Sequence, residues 1–395
     1  MKNKMKWFSV LLMACVALLS SCSNDDSSSA SEGEPDNGFS DAAIKSALEK
    51  MTLREKVGQM FIVRPEALDT SIHWENYQEL VPYETRSISK AMKALNGDYP
   101  VGGMILFAHN IDDESQLVNF IKDIKSLNGA PLLAVDEEGG RVARIANDGS
   151  FDVPKYESME ALAALGEDSV YEAAFTIGSY VKHYGFDVDF APVADVNTNP
   201  ENIVIGARAF SNEPEVAATM VQQYLRGLED AHVVGSLKHF PGHGDVKSDT
   251  HYGYAETQKT WDEMLKCEMI PFVAGIKAGA QMIMTAHIAA PKVTNDDVPA
   301  TLSSVILQDK LRGELGFEGV IVTDAMDMGA IMKQFTNVEA TVKSIQAGID
   351  IVLCPQNFVE AFDAVVKAVE DGTIKESRID ESVYRILKMK NNLKN

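Results

Sequence analysis

The densest run of chemistry-bearing side chains is Lys238-His-Phe-Pro-Gly-His-Gly-Asp-Val-Lys-Ser-Asp-Thr-His251, which holds three of the eight histidines. Pro241, Gly242 and Gly244 make it a loop rather than an early helix. Asp249 and His251 stand two residues apart. In an extended or turn segment, that spacing lets a carboxylate reach the near ring nitrogen of the imidazole. Such a partner fixes the tautomer and makes the other nitrogen a better base. Imidazole titrates near ~6.5, so the pair can give and take a proton close to neutral pH. A metal-binding loop or a solvated histidine-rich turn would use the same residue types, and composition alone does not choose among the three.

The second sharp feature is Asp324 in Val322-Thr-Asp-Ala-Met-Asp327. It ends an apolar run, so its carboxylate is expected to be held rigidly. A fixed carboxylate facing a proton donor across a pocket is the layout of a retaining glycosidase. The carboxylate would take the sugar as a glycosyl ester, which water then resolves. Asp327 is expected in the first turn of the next helix, where acids favour the macrodipole.

These groups need elements to position them. Eight short apolar runs recur: Gln59–Arg64, Gly103–Phe107, Leu132–Asp136, Val188–Ala191, Gly235–His239, Met282–His287, Val320–Asp324 and Ile349–Cys354. Near-continuous apolar strands alternating with helical patterns imply a parallel sheet buried on both faces. Eight such units predict an α/β fold of the (β/α)8 barrel type, one domain over 41–395. Thr52-x-x-Glu55 and Thr260-x-x-Glu263 predict capping boxes. Gly316 predicts a helix stop, and the chain ends in an amphipathic helix over Glu381 to Lys388. Barrel active sites lie at the carboxyl ends of the strands. Those ends read Arg64, Asp136, Asp195, Lys238 with His239, His287 and Asp324. Any one could be a cap or a salt-bridge partner. Six on one rim point to polar chemistry there.

The 395 residues are 45% hydrophobic and 24% charged, ordinary globular usage. Lys plus Arg total 36 against 58 Asp plus Glu, a formal charge of −22. No basic footprint follows the first few residues, so nucleic acid is excluded as a partner. Residues 1–21 read as a secretory signal: three lysines, then an apolar stretch too short to span a bilayer. The sequence Leu19-Ser-Ser-Cys22 resembles a bacterial lipobox, which makes Cys22 the lipidated residue. Residues 22–40, rich in Ser, Asp and Glu, predict a disordered tether. The expected address is a bacterial membrane, periplasmic or cell-surface, reached through the lipid alone. Cys267 and Cys354 are expected to be buried thiols. No CxxC or HxxxH spacing indicates a metal, no cofactor is indicated, and a monomer is expected.

The Lys238–His251 stretch closely resembles the hallmark of family 3 glycoside hydrolases, in the β-N-acetylglucosaminidase branch. LREKVGQM (53–60), VDEEGGRV (135–142), APVAD (191–195), VIGARAF (204–210), IMTAH (283–287) and LRGELGFEGVIVTD (311–324) are also similar to that branch. The resemblance implies a (β/α)8 barrel and makes Asp324 the nucleophile. It makes His251 the general acid/base, with Asp249 as its partner. It implies that Asp136, Arg208, Lys238 and His239 hold the sugar hydroxyls and the N-acetyl group, with Arg64 and His287 less securely aligned. The implied substrate is a carbohydrate with terminal β-GlcNAc. An imidazole in the acid position does not repel anions, so phosphorolysis is an alternative to hydrolysis. β-Glucosidase activity within the family and a metal-dependent amidohydrolase are further alternatives. The latter normally needs a His-x-His pair on the first strand, which Gln59–Arg64 lacks.

Overall fold

A computed structural model describes residues 40–71 and 85–393. The expected signal, Cys22 and the tether to residue 39 lie outside the described residues. The eight apolar runs each yield one strand: β1 Phe61–Val63, β2 Gly103–Ile105, β3 Leu132–Val135, β4 Val188–Asp189, β5 Val234–Phe240, β6 Met282–Thr285, β7 Val320–Thr323 and β8 Val352–Leu353. All neighbours are parallel, in the order β8-β1-β2-β3-β4-β5-β6-β7. A parallel bridge between Val322 and Ile351 joins the two ends. There the Thr323 N–H donates to the Ile351 carbonyl at 3.0 Å. The sheet is thus a closed barrel, as the count of runs predicts.

The strands read as apolar runs because both faces are covered: every residue of β1, β2, β3, β5, β6 and β7 is buried. The outer helices pack closely where small residues allow it. A Cβ on Gly227, in helix Pro214–Asp230, would stand 2.7 Å from the Ala174 side chain of helix Glu167–Tyr184. Thr52 and Thr260 both form the predicted capping boxes, with Glu55 and Glu263. Gly316 has φ +71, in keeping with a helix stop. The last helix is longer than expected, Glu376–Asn392.

That helix is fastened to the floor of the barrel by Asp350, which is fully buried. Its carboxylate accepts from Arg312 Nη2 at 2.6 Å, Arg385 Nη1 at 3.0 Å and Ser382 Oγ at 2.6 Å. Arg378 Nη2 lies 3.6 Å away. Cys354 is buried and Cys267 partly so.

Two features depart from the sequence reading. Glu137–Gly139 and Val142–Ala143 form an antiparallel hairpin at the mouth of β3, outside the barrel sheet. Asp327 is not a helix-start acid: the next helix begins at Gly329, and Asp327 instead pairs with Arg64 Nη2 at 2.8 Å. A buried partner from a distant strand outcompetes the weak attraction of a helix terminus.

Candidate active site

The rim at the carboxyl ends of the strands is built from carboxylates and the cations that hold them. Asp136 follows β3 directly. Its Oδ1 accepts from Lys238 Nζ at 2.9 Å, and its Oδ2 from Arg144 Nη2 at 3.3 Å. Burial alone would raise this carboxyl, but Lys238 and Arg144 hold it well below the usual carboxylate range. Glu138, in the hairpin, is 1% exposed. It takes Arg208 in a two-pronged pair, Nε to Oε2 at 2.8 Å and Nη2 to Oε1 at 2.7 Å. Its Oε1 also lies 2.5 Å from Lys238 Nζ. Lys238 therefore bridges two acids. Burial would lower its pKa, and Asp136 and Glu138 raise it instead.

Glu137 points the other way and shapes the hairpin. It accepts the backbone N–H of Arg144 at 2.5 Å, of Ile145 and Ala146 at 2.8 Å, and the Tyr180 hydroxyl at 2.8 Å. Neither Glu137 nor Glu138 stands out from residue spacing. The available signal is that two consecutive acids after a strand covered on both faces must find partners.

Asp195 lies beyond β4, where the bridge from Val193 to Lys238 brings the chain against β5. Its Oδ2 is 2.7 Å from His239 Nδ1, and its Oδ1 accepts the His243 N–H at 2.6 Å. Burial would raise this carboxyl, but His239 and His243 pull it down. His239 Nε2 then sits 3.5 Å from Arg208 Nη2, so the predicted groups Asp136, Arg208, Lys238 and His239 form one connected cluster.

Arg64 ends β1. Besides pairing with Asp327, its guanidinium covers the Phe107 ring at 4.5 Å. His287 is placed differently from its expected sugar-binding role. It is 1% exposed, with Nε2 donating to the Ala325 carbonyl at 2.9 Å and Nδ1 2.8 Å from Thr301 Oγ1. Both ring nitrogens are taken, so in this structure His287 braces the backbone beside Asp324. Burial lowers its pKa, which favours the neutral ring.

Asp324 lies just past β7. Its Oδ1 accepts the Ala325 N–H at 2.7 Å, and among the described residues no Lys or Arg pairs with it. Burial would raise this carboxyl, but His239, His287, that N–H and His251 hold it below the ordinary range. It is an anion at neutral pH whose neighbours are imidazoles rather than ammonium or guanidinium groups. His251 is on the long loop after β5. Its Nδ1 lies 2.7 Å from Asp249 Oδ1, which also accepts the His251 N–H at 2.9 Å. The His251 side chain is 62% exposed, so Nε2 is open to a ligand. A half-buried anion and an accessible, carboxylate-oriented imidazole are the two parts that nucleophilic and proton-transfer chemistry need.

Known proteins share this architecture. The glycosyl hydrolase family 3 N terminal domain model matches residues 52–389. A beta-hexosaminidase A of Pseudoalteromonas piscicida is 36% identical over 322 residues, 75% of this chain and 54% of that protein. A beta-hexosaminidase of Stenotrophomonas maltophilia (strain K279a) is 38% identical over 273 residues, 67% of this chain and 80% of that protein. Among solved structures, a glycoside hydrolase family 3 beta-N-acetylglucosaminidase from Paenibacillus sp. str. FPU-7 superposes with TM-score 0.78 at 34% identity, over 87% of this chain and 63% of that one. The chain thus spans about half of the Pseudoalteromonas protein and under two thirds of the Paenibacillus one. The match of the family model over residues 52–389, most of the chain, means that the chain belongs to glycosyl hydrolase family 3.

Proposed function

We propose that this protein is a retaining exo-β-N-acetylglucosaminidase that removes terminal β-GlcNAc. The observation that carries the reading is the contrast among the rim acids. Asp136 and Glu138 are held by Lys or Arg, Asp327 by Arg64, and Asp195 by His239. Asp324 alone of these keeps a carboxylate that is braced by a backbone N–H and free of such a pairing among the described residues. An acid spent on a cation is a poor nucleophile, and an acid held in one orientation is a good one.

In the first step, an Asp324 oxygen attacks the anomeric carbon. The His251 Nε2 proton passes to the glycosidic oxygen as the bond to the leaving alcohol breaks. In the second step, Nε2 takes a proton from water, the water oxygen bonds to the anomeric carbon, and Asp324 leaves. Asp249 fixes the ring through Nδ1 and steadies the imidazolium. Asp136, Arg208, Lys238 and His239 form the sugar-binding cluster, Arg64 lies at its edge, and His287 acts from behind. The names of the two beta-hexosaminidases and of the Paenibacillus beta-N-acetylglucosaminidase support β-GlcNAc over β-glucose as the substrate. Membership in family 3 leaves the amidohydrolase alternative without support. We also propose lipid attachment at Cys22, which fatty-acid labelling lost in Cys22→Ala would test.

The test is hydrolysis of aryl β-N-acetylglucosaminides beside aryl β-glucosides. Asp324→Asn abolishes turnover without lowering the melting temperature. His251→Ala slows phenyl glycosides by about 10²–10⁴ and dinitrophenyl glycosides far less, since the latter need no proton. Full activity in both variants refutes the assignment.

A further inference from the structure

The loop that carries His251 is docked on the helical turn that follows Asp324. Three consecutive carbonyls of the loop each meet one donor from that turn. The Ala330 N–H donates to Thr250 O at 3.0 Å, and the Gly329 N–H donates to His251 O at 3.0 Å. Lys333 Nζ donates to Tyr252 O at 2.7 Å. Gly329 also sets how closely the loop lies. A Cβ there would stand 2.7 Å from His251 O and 3.0 Å from the Tyr252 carbonyl carbon. Since those are backbone atoms, a methyl group at 329 forces the loop outward.

The turn itself is fixed to the barrel. The Met326 N–H donates to Leu353 O at 2.9 Å, and Asp327 holds Arg64. One short segment therefore carries Asp324 at its start and the docking donors for His251 at its end. We infer that Gly329 and Lys333 are positioning residues that set the place of the acid/base imidazole relative to Asp324. The inference rests on the reading of His251 proposed above. Three carbonyls over three residues fix both the height and the rotation of the loop, whereas the exposed His251 ring has, among the described residues, only Asp249 to orient it. The rigidity that proton transfer needs is supplied from outside the loop.

The test uses the whole chain and a series of aryl β-N-acetylglucosaminides, from dinitrophenyl to phenyl. A misplaced acid slows only substrates whose leaving group needs a proton. Lys333 is exposed, so its replacement spares the fold. Lys333→Met lowers kcat/KM for the phenyl substrate about fivefold and leaves the dinitrophenyl substrate within about twofold, on the scale of one charge-assisted hydrogen bond. Lys333→Arg, which keeps a charged donor, restores the phenyl rate. Gly329→Ala lowers the phenyl rate about 10- to 100-fold with the same selectivity, the scale of a displacement near 1 Å. A flat leaving-group profile in Lys333→Met and Gly329→Ala, beside a steep one in His251→Ala, overturns the inference alone. A flat profile in His251→Ala overturns the acid/base reading and the inference together.

Discussion

Glu138 offers the sharpest test of how the rim is held together. Replacing it by Gln keeps the shape and removes the charge. Burial alone would raise the Glu138 carboxyl, yet Arg208 and Lys238 bring it down to about 2 from an ordinary 4.5. A carboxyl whose pKa falls by that much on folding contributes about 3 kcal/mol at pH 7. The side chain is 1% exposed, so solvent screens little of this. Breaking a buried pair by removing one partner costs about 3–5 kcal/mol, the same scale. The sign follows from the direction of the shift. A depressed carboxylate stabilises the fold fully above its unfolded value, and the contribution fades as pH falls from about 4.5 towards about 2. At pH 3 about half should remain.

The assay is urea unfolding of wild type and Glu138→Gln at pH 7 and at pH 3, with kcat/KM measured beside it. We expect a stability gap of about 3 kcal/mol at pH 7 that shrinks at pH 3. We also expect a loss of kcat/KM of about tenfold or more, because Arg208 loses its two-pronged seat and Lys238 one of its two acids. Equal stability at pH 7, or a gap that widens in acid, refutes the view that Glu138 organises these cations.

At the floor of the barrel, Asp350→Ala strands the guanidinium groups of Arg312, Arg378 and Arg385; unfolding should become easier by about 3–5 kcal/mol, with KM unchanged in whatever remains folded. On the rim, Asp195→Asn leaves the His239 ring and the His243 N–H without their charged acceptor. It should lower stability by about 1–3 kcal/mol in urea melts and reduce kcat/KM, the loss fading as acid protonates the wild-type carboxyl.

The barrel was legible because its strands are covered on both faces and so read as unbroken apolar runs. Even β4, only Val188–Asp189 as a strand, is announced by the run Val188–Ala191. The Asp249–His251 pair was legible because it is local, two residues apart, with both the His251 ring and its N–H on one Asp249 oxygen. The ion-pair cluster was legible only in part. Glu138 and Arg208 are 70 residues apart, and Asp136 and Lys238 are 102 apart. Spacing says nothing about such pairs, since the closed barrel, not the local chain, brings them together. Asp327 shows the same limit from the other side. Its position three residues after Asp324 fits a helix start, and the stronger interaction with Arg64 on β1 cannot be read from the neighbourhood. His287 ends a strand as the other rim groups do. Only its contacts with the Ala325 carbonyl, just past the carboxyl end of β7, and with Thr301 decide that the ring is a brace.

The same accounting of charges bears on whether water or phosphate completes the reaction. A phosphate acceptor needs cations that are not already neutralised. Arg64 is paired with Asp327, Arg144 with Asp136, Arg208 with Glu138, and Lys238 with both Asp136 and Glu138. Arg141, on the hairpin turn, is the exception: its Nη2 donates to the Val204 carbonyl, and it forms no ion pair among the described residues. Partial burial and the neighbouring Arg208 charge lower its pKa, as expected for a cation short of a counter-charge. One guanidinium at the lip is a weak seat for a dianion, because the nearby Glu138 and Asp249 carboxylates repel what it attracts. Water is therefore the expected acceptor. Raising phosphate should leave free GlcNAc as the dominant product, in wild type and in Arg141→Met alike, as read by chromatography of the released sugar. A sugar 1-phosphate that grows with phosphate and disappears in Arg141→Met would show that this single cation outweighs the acids, and the electrostatic argument for hydrolysis would fall.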